Sequence, residues 1–337
     1  MKRKIKNLLA TMMIMVLVAG LGGCAQKPAE KSTPKLPEVK ISASQGAGSY
    51  PLAVLAENNA LQGVADKTTL ESWVTSEQLS AMITSNQVNF IVAPIPNAIM
   101  LYNKGANVKL GNVAIWGMLY ILSADDSVKT LEDLKGKEIA VTGGSNGYHG
   151  TIFRHILIQN NIDPDKDLTI LNMDMAESSS RLATGDIKLA LSNEPNSSVT
   201  IDNAAKGNVT VKRAIDLQEE WAKATGSQSR IPQAGLIIVG DNAQNTALVN
   251  EVLKQFEASA KWVNENPAAA GPMVEKYFPK MKASAVENSL PFARLEPVSS
   301  PQCKDEVNAF LTEYLKTAPP ASIGGKMPDD NFYYSGI

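Results

Sequence analysis

The sequence predicts an α/β fold built as two lobes, and three observations lead there. Strand and helix signals alternate from Val39 onward, the pattern of mostly parallel sheets flanked by helices. About 300 residues follow the N-terminal segment, enough for two cores rather than one. The only cysteines are Cys24 and Cys303, so the fold rests on apolar burial and not on a disulfide framework.

The N-terminus is a targeting segment. Lys2, Arg3, Lys4 and Lys6 precede an apolar run from Leu8 to Ala19, and Leu21-Gly22-Gly23-Cys24 follows at once. Charge, apolar core and small residues in that order form a secretory signal. The run is shorter than the ~20 residues of a membrane span. Its Leu-x-Gly-Cys ending resembles the bacterial lipobox, which implies a signal peptide over 1–23 and lipidation of Cys24. Residues 24–37 are rich in Lys, Pro, Ala and Ser and form a flexible tether. Loss of 1–23 removes four positive charges and no negative one, taking the net charge from -2 to -6. Such mild acidity argues against nucleic acid, whose binders carry basic patches. No later stretch is apolar enough to span a membrane.

The first lobe begins with a strand over Glu38–Ala43. It runs through Ser44-Gln45-Gly46-Ala47-Gly48-Ser49 into a helix from Tyr50, whose first turn suits Pro51. Thr68–Trp73 is a second strand, and Thr75 with Gln78 makes a capping box for the next helix. Asn89–Ala93 is a third strand, stopped by Pro94 and Pro96. The long apolar stretch Lys109–Ser123 carries the chain out of this lobe.

The second lobe opens with a short capped helix near Thr130–Leu134 and a turn into strand Glu138–Thr142. A glycine-rich loop, helix Tyr148–Asn160 and strand Leu168–Met173 follow. Helix Glu177–Thr184 stops at Gly185, and strand Ile187–Ser192 ends in Asn193-Glu194-Pro195. Strand Val209–Ile215 and a helix around Trp221 complete it. Ala234–Val239 returns to the first lobe, and Val249, Leu253, Phe256, Ala260 and Val263 mark one buried helix face. The lobes are thus expected over 38–122 plus 232–337, and over 123–231.

Several of these runs carry a resemblance. Leu131-Glu132-Asp133-Leu134-Lys135-Gly136-Lys137, the Gly143–Gly147 loop, Thr184-Gly185-Asp186-Ile187 and Glu194-Pro195 resemble the second lobe of periplasmic solute-binding proteins of the nitrate, taurine and sulfonate type. A weaker likeness runs from Glu38 to about Pro279. The resemblance implies a type II periplasmic-binding fold with hinge crossings near Leu122 and Ile231. It also implies a lipid-anchored, extracytoplasmic subunit of an ABC importer that serves a permease and an ATPase. Such a subunit is expected to be monomeric, non-catalytic and without cofactor or metal.

In α/β sheets ligands sit beyond the carboxyl ends of the strands. That rule nominates Ser44–Tyr50, Trp73–Thr75, Pro94–Asn97, Gly143–Thr151 and Asn193–Asn196. Two of these run from a Gly/Ser loop into a helix, whose free N–H groups and positive dipole end suit an anion. Ser44, Gln45, Ser49, Asn97, Ser145 and Asn146 add uncharged polar groups. Tyr50, Trp73, Trp116, Tyr148 and His149 offer an aromatic wall, although core packing is the commoner reason for a lone Trp such as Trp73. Glu194 can accept a hydrogen bond from a ligand nitrogen or cap the following helix. An organic anion is the first expectation for the ligand, and a planar nitrogen heterocycle such as a vitamin precursor the second.

Two catalytic patterns fail. Gly143-Gly144-Ser145-Asn146-Gly147 matches a nucleophile elbow between strand and helix. The only histidines, His149 and His155, lie on the helix that Ser145 opens, whereas an elbow hydrolase needs one far downstream. Those histidines are six apart and do not share a helix face, so they form no metal pair. An enzyme on the same fold remains a rival, since some dehydratases of menaquinone synthesis resemble these binders. Those are cytoplasmic, which the signal at Cys24 opposes. A sensory or adhesive lipoprotein is a third possibility.

Overall fold

The computed structural model describes residues 35–336. The signal segment, Cys24 and the tether as far as Pro34 lie outside the described residues. In the first lobe, β1 (Val39–Ala43), α1 (Tyr50–Glu57), β2 (Thr68–Ser72), α2 (Ser76–Thr84), β3 (Phe90–Pro94) and α3 (Ile95–Asn103) follow in order. β2, β1 and β3 are parallel because each is reached through a helix that crosses the sheet face. β4 (Val108–Ile115), β10 (Ala234–Val239) and β11 (Leu295–Ser299) complete a sheet ordered β11-β4-β10-β3-β1-β2.

The second sheet has the order β7-β6-β8-β5-β9. It comprises β5 (Leu119–Ser123), β6 (Glu138–Val141), β7 (Thr169–Asn172), β8 (Leu189–Asn193) and β9 (Lys212–Asp216). α4 (Tyr148–Gln159), α5 (Met175–Thr184), α6 (Asn196–Lys206) and α7 (Leu217–Thr225) pack around it. β6, β7 and β8 are parallel, while β5 is antiparallel to both β8 and β9. Both sheets are therefore mixed. The α/β units supply the parallel strands, and antiparallel pairs enter with the strands that arrive from or return to the other lobe.

One expected boundary moves. β5 pairs along its length with β8, so Leu119–Ser123 belongs to the second sheet. The first crossing is Trp116–Met118 rather than Leu122, and the second lies between α7 and β10, around Ile231. The apolar stretch Lys109–Ser123 hid this break. Its two strands are equally apolar, and only Gly117 interrupts them.

Local signals behave as their chemistry requires. Thr75 and Gln78 form the reciprocal capping box on α2. Asp174 caps α5, and Gly185 ends it at φ 81°. The segment at Thr130–Leu134 is one 3₁₀ turn, Glu132–Leu134, instead of a longer helix. Asp133 folds it back by accepting the N–H groups of Lys129 and Thr130 at 2.9 and 2.8 Å. Along α8 (Thr246–Glu265), Val249, Phe256, Ala260 and Val263 are fully buried, and Leu253 is half-buried beside them. α9 (Pro267–Tyr277) and α10 (Ala283–Ala293) follow, and α11 (Ser300–Tyr314) packs on β4 and reaches across to α4.

The turn into α4 is closely packed. A Cβ on Gly150 would stand 1.9 Å from the carbonyl oxygen of Gly144, which is backbone and has no room to give. Gly150→Ala is expected to cost about 1–3 kcal/mol by overpacking. Gly63→Ala, whose Cβ would meet nothing within 4 Å, should cost far less. Urea unfolding of the two variants measures the difference, and equal midpoints would refute the assigned contact.

Candidate functional site

A cavity of about 150 Å³ lies between the lobes. The loop entering α1 supplies Ser44 to Ser49, β2 leads to Trp73, and β3 supplies Val92, Ala93 and Pro94. From the second lobe come Tyr148 and His149 at the start of α4, with Asn193 at the end of β8 and Glu194 and Asn196 beyond it. Met118 and Gln233 enter from the two crossings. The space is that of one small ring, since a cavity of this size accepts a benzene-sized guest.

Trp73 presents an aromatic wall, with its indole N–H spent on the Val92 carbonyl at 3.2 Å. Tyr148 lines the cavity from the other lobe. Its hydroxyl reaches the Pro232 carbonyl at 3.3 Å, and its ring stands edge-on to Tyr314 at 5.7 Å. Ser49 is fully buried and donates to the Gly46 carbonyl at 2.8 Å, so it shapes its own loop. Ser44 and Gln45 are half-buried along the cavity. His149 is enclosed there, and that enclosure holds its pKa down at about 4, leaving the ring neutral at pH 7.

Glu194 lines the cavity but is already satisfied. One carboxylate oxygen accepts Arg213 Nε and Nη2 at 2.8 and 2.5 Å, and the other accepts the Ser198 N–H and hydroxyl at 3.2 and 2.8 Å. Its sequence-level alternatives therefore resolve toward capping, because Ser198 lies in the first turn of α6. Burial pushes the carboxyl above its ordinary range, and Arg213 pulls it back. No Lys or Arg lines the cavity among the described residues.

Five expected residues stand elsewhere. Tyr50 is fully buried, with its hydroxyl 2.9 Å from Ser289 Oγ, because α1 turns it into the first-lobe core. Trp116 is buried in the crossing, gives its indole N–H to the Glu296 carbonyl at 2.8 Å and carries Arg230 over its ring. Asn97 lies past the first residues of α3 and outside the lining. Ser145 and Asn146 also lie outside it, because the Gly143–Gly147 loop folds back on itself. Only the first turn of α4 then reaches the cavity. Conversely, Gln233 and Met118 line it without any sequence signal beyond their nearness to a crossing, whereas Asn196 lies in the nominated Asn193–Asn196 segment.

A family model described as NMT1/THI5 like matches residues 71–270. The chain belongs to the NMT1/THI5-like family. The matched span holds every lining residue of the second lobe, both crossings and Trp73, and leaves out only the Ser44–Ser49 loop. No curated protein matches the sequence. An ABC transporter from Parabacteroides distasonis shares the fold at TM-score 0.73 and 20% identity, covering 88% of this chain and 98% of that one. The periplasmic aliphatic sulphonate binding protein SsuA from Escherichia coli follows at 0.66 and 14%, covering 87% and 91%. The periplasmic nitrate-binding protein NrtA from Synechocystis PCC 6803 gives 0.63 and 14%, covering 86% and 85%. Two-lobed α/β architecture is thus common to this family member and to these structures.

Two histidines set a pH dependence. Burial lowers the pKa of His149 from 6.5 to about 4 and that of His155 in the same direction. Between those values the unfolded chain binds more protons than the folded one. Their contribution is therefore complete above about pH 6.5 and lost as pH falls toward 4. Urea midpoints should drop over that window, and the drop should shrink in His149→Asn. An identical slope in the variant would contradict the enclosure of His149.

Proposed function

We propose that this NMT1/THI5-like protein is the extracytoplasmic, lipid-anchored solute-binding subunit of an ABC importer. It captures one small polar molecule between its lobes and delivers it to a permease and its ATPase, working as a monomer and without catalysis. The observation that carries this reading is the cavity itself, to which both lobes and both crossings contribute. A solute held there touches the two lobes at once, so binding favours the closed arrangement about Trp116–Met118 and Ile231. The structural likeness to sulphonate-binding and nitrate-binding periplasmic proteins supports the same role.

The lining favours a flat, uncharged polar solute of about one ring, such as a nitrogen heterocycle. Trp73 and Tyr148 form its walls, His149 is neutral, and Arg213 is committed to Glu194. A second reading, a small organic anion, draws on the N-termini of α1 and α4, which both open on the cavity.

Two variants test the proposal. Gly46 lines the cavity in extended backbone at φ -173°, and a Cβ there meets nothing within 4 Å. Gly46→Leu should fill the site without altering the unfolding midpoint of the empty protein. Native mass spectrometry of protein purified without refolding should find a retained solute in wild type and none in this variant. Equal retention would remove the cavity from the function. For the anchor, metabolic labelling with a radioactive fatty acid should mark wild type and leave Cys24→Ala unmarked; equal labelling would end the lipoprotein assignment.

A further inference from the structure

Resting on the solute-binding reading, we infer that Gln233 is the specificity-determining residue of the cavity, selecting a solute edge that carries a hydrogen-bond acceptor beside a donor. Gln233 is 2% exposed, and neither its Oε1 nor its Nε2 has a partner among the described residues. It is the one cavity-lining side chain with buried unpaired polar atoms among them. An amide buried without partners is unfavourable, so its retention at this place has a use outside the fold's own bonding.

The backbone at Gln233 is held at a fixed position. The Gln233 N–H donates to the Ile115 carbonyl at 2.8 Å, and its carbonyl accepts the Ile95 N–H at 3.1 Å. Both partners belong to the first lobe, so the backbone that carries the amide is fixed between the end of β4 and the start of α3. His149 approaches from the second lobe, close enough for the amide to favour its protonated form against burial, yet short of hydrogen-bond geometry. Whichever way the amide is turned, it offers one donor and one acceptor side by side. A primary carboxamide, a lactam, or a ring nitrogen beside an amino group satisfies both. A carboxylate or sulfonate satisfies only the donor and sets its charge against the amide oxygen. Sites with buried polar groups reject such mismatched ligands strongly, because a site group is left unpaired.

The experiment is calorimetric titration of the full mature chain with matched single-ring probes. Nicotinamide and cytosine carry the paired edge; nicotinate and pyridine-3-sulfonate carry acceptors only. Wild type should bind at least one of the first pair at least tenfold more tightly than either anion. Gln233→Leu should lose at least tenfold in that affinity. Its unfolding midpoint without solute should stay level or rise, since an apolar side chain relieves the orphan amide. Anions bound as tightly as the amides, or a preference unchanged in Gln233→Leu, would overturn the role of Gln233 and leave the solute-binding reading standing. A lowered midpoint in Gln233→Leu would show that the amide serves the fold, and would also overturn it. Failure of all four probes to bind would count against both.

Discussion

The constraint on which the cleft depends is that the chain must leave one sheet for the other without stranding its backbone groups. A crossing ends two β-ladders, and buried N–H and C=O groups there need other partners. Gln218 answers this at the first crossing: fully buried, its amide accepts the Leu119 N–H at 2.9 Å and donates to the Leu119 carbonyl at 3.0 Å. Arg294 answers from the first lobe, pairing with Asp216 at 2.8 Å and donating to the Ser229 carbonyl. Gly117 runs between these two side chains, where a Cβ would lie 2.6 Å from Arg294 Cδ and 2.7 Å from Gln218 Cγ. The two crossings are also tied to each other, since the Ile231 N–H donates to the Trp116 carbonyl at 3.0 Å.

Because the crossings are fixed, the groups beside them are fixed too. Met118 and Gln233 line the cavity, and the Glu194 N–H is held by the Met118 carbonyl at 3.1 Å. That bond places the Glu194–Arg213 pair within the second lobe, where Arg213 also lies 3.6 Å from the centre of the Phe292 ring of α10. The charge at the cavity wall is thereby cancelled inside the protein. What faces the cavity is a set of neutral polar groups between aromatic and apolar surfaces.

Much of this was legible in the residues. Alternating strand and helix signals, the Thr75–Gln78 box, Gly185 and the Val249–Val263 face each have a local cause, so each could be read locally. The strand-end rule reached Ser44, Gln45, Ser49, Trp73, Tyr148, His149 and Glu194, all of which line the cavity. It overreached at Ser145 and Asn146, because sequence does not show a loop folding back before its helix starts. It overreached at Tyr50 and Trp116, because an aromatic residue near a strand end can turn either way, and both turn into buried packing. Gln233 escaped because a neutral amide after Pro232 belongs to no motif. Its meaning arises only when the return crossing sets it against His149 from the other lobe.

On the proposed solute-binding role, that juxtaposition bears on how closure is controlled. Gln233 is bound to first-lobe backbone, whereas Tyr148 and His149 start a second-lobe helix, so the distance between them depends on the angle between the lobes. Closing on an empty cavity withdraws bulk water from an amide that the protein does not pair. Each unpaired buried group costs roughly 1–3 kcal/mol, and 1.4 kcal/mol already shifts a two-state population tenfold. Closing on a complementary solute removes that penalty and adds contacts to both lobes. A ligand shifts a conformational equilibrium only by its differential affinity for the two states. The orphan amide enlarges that difference by raising the empty closed state, so the closed form becomes a report that the solute is in place.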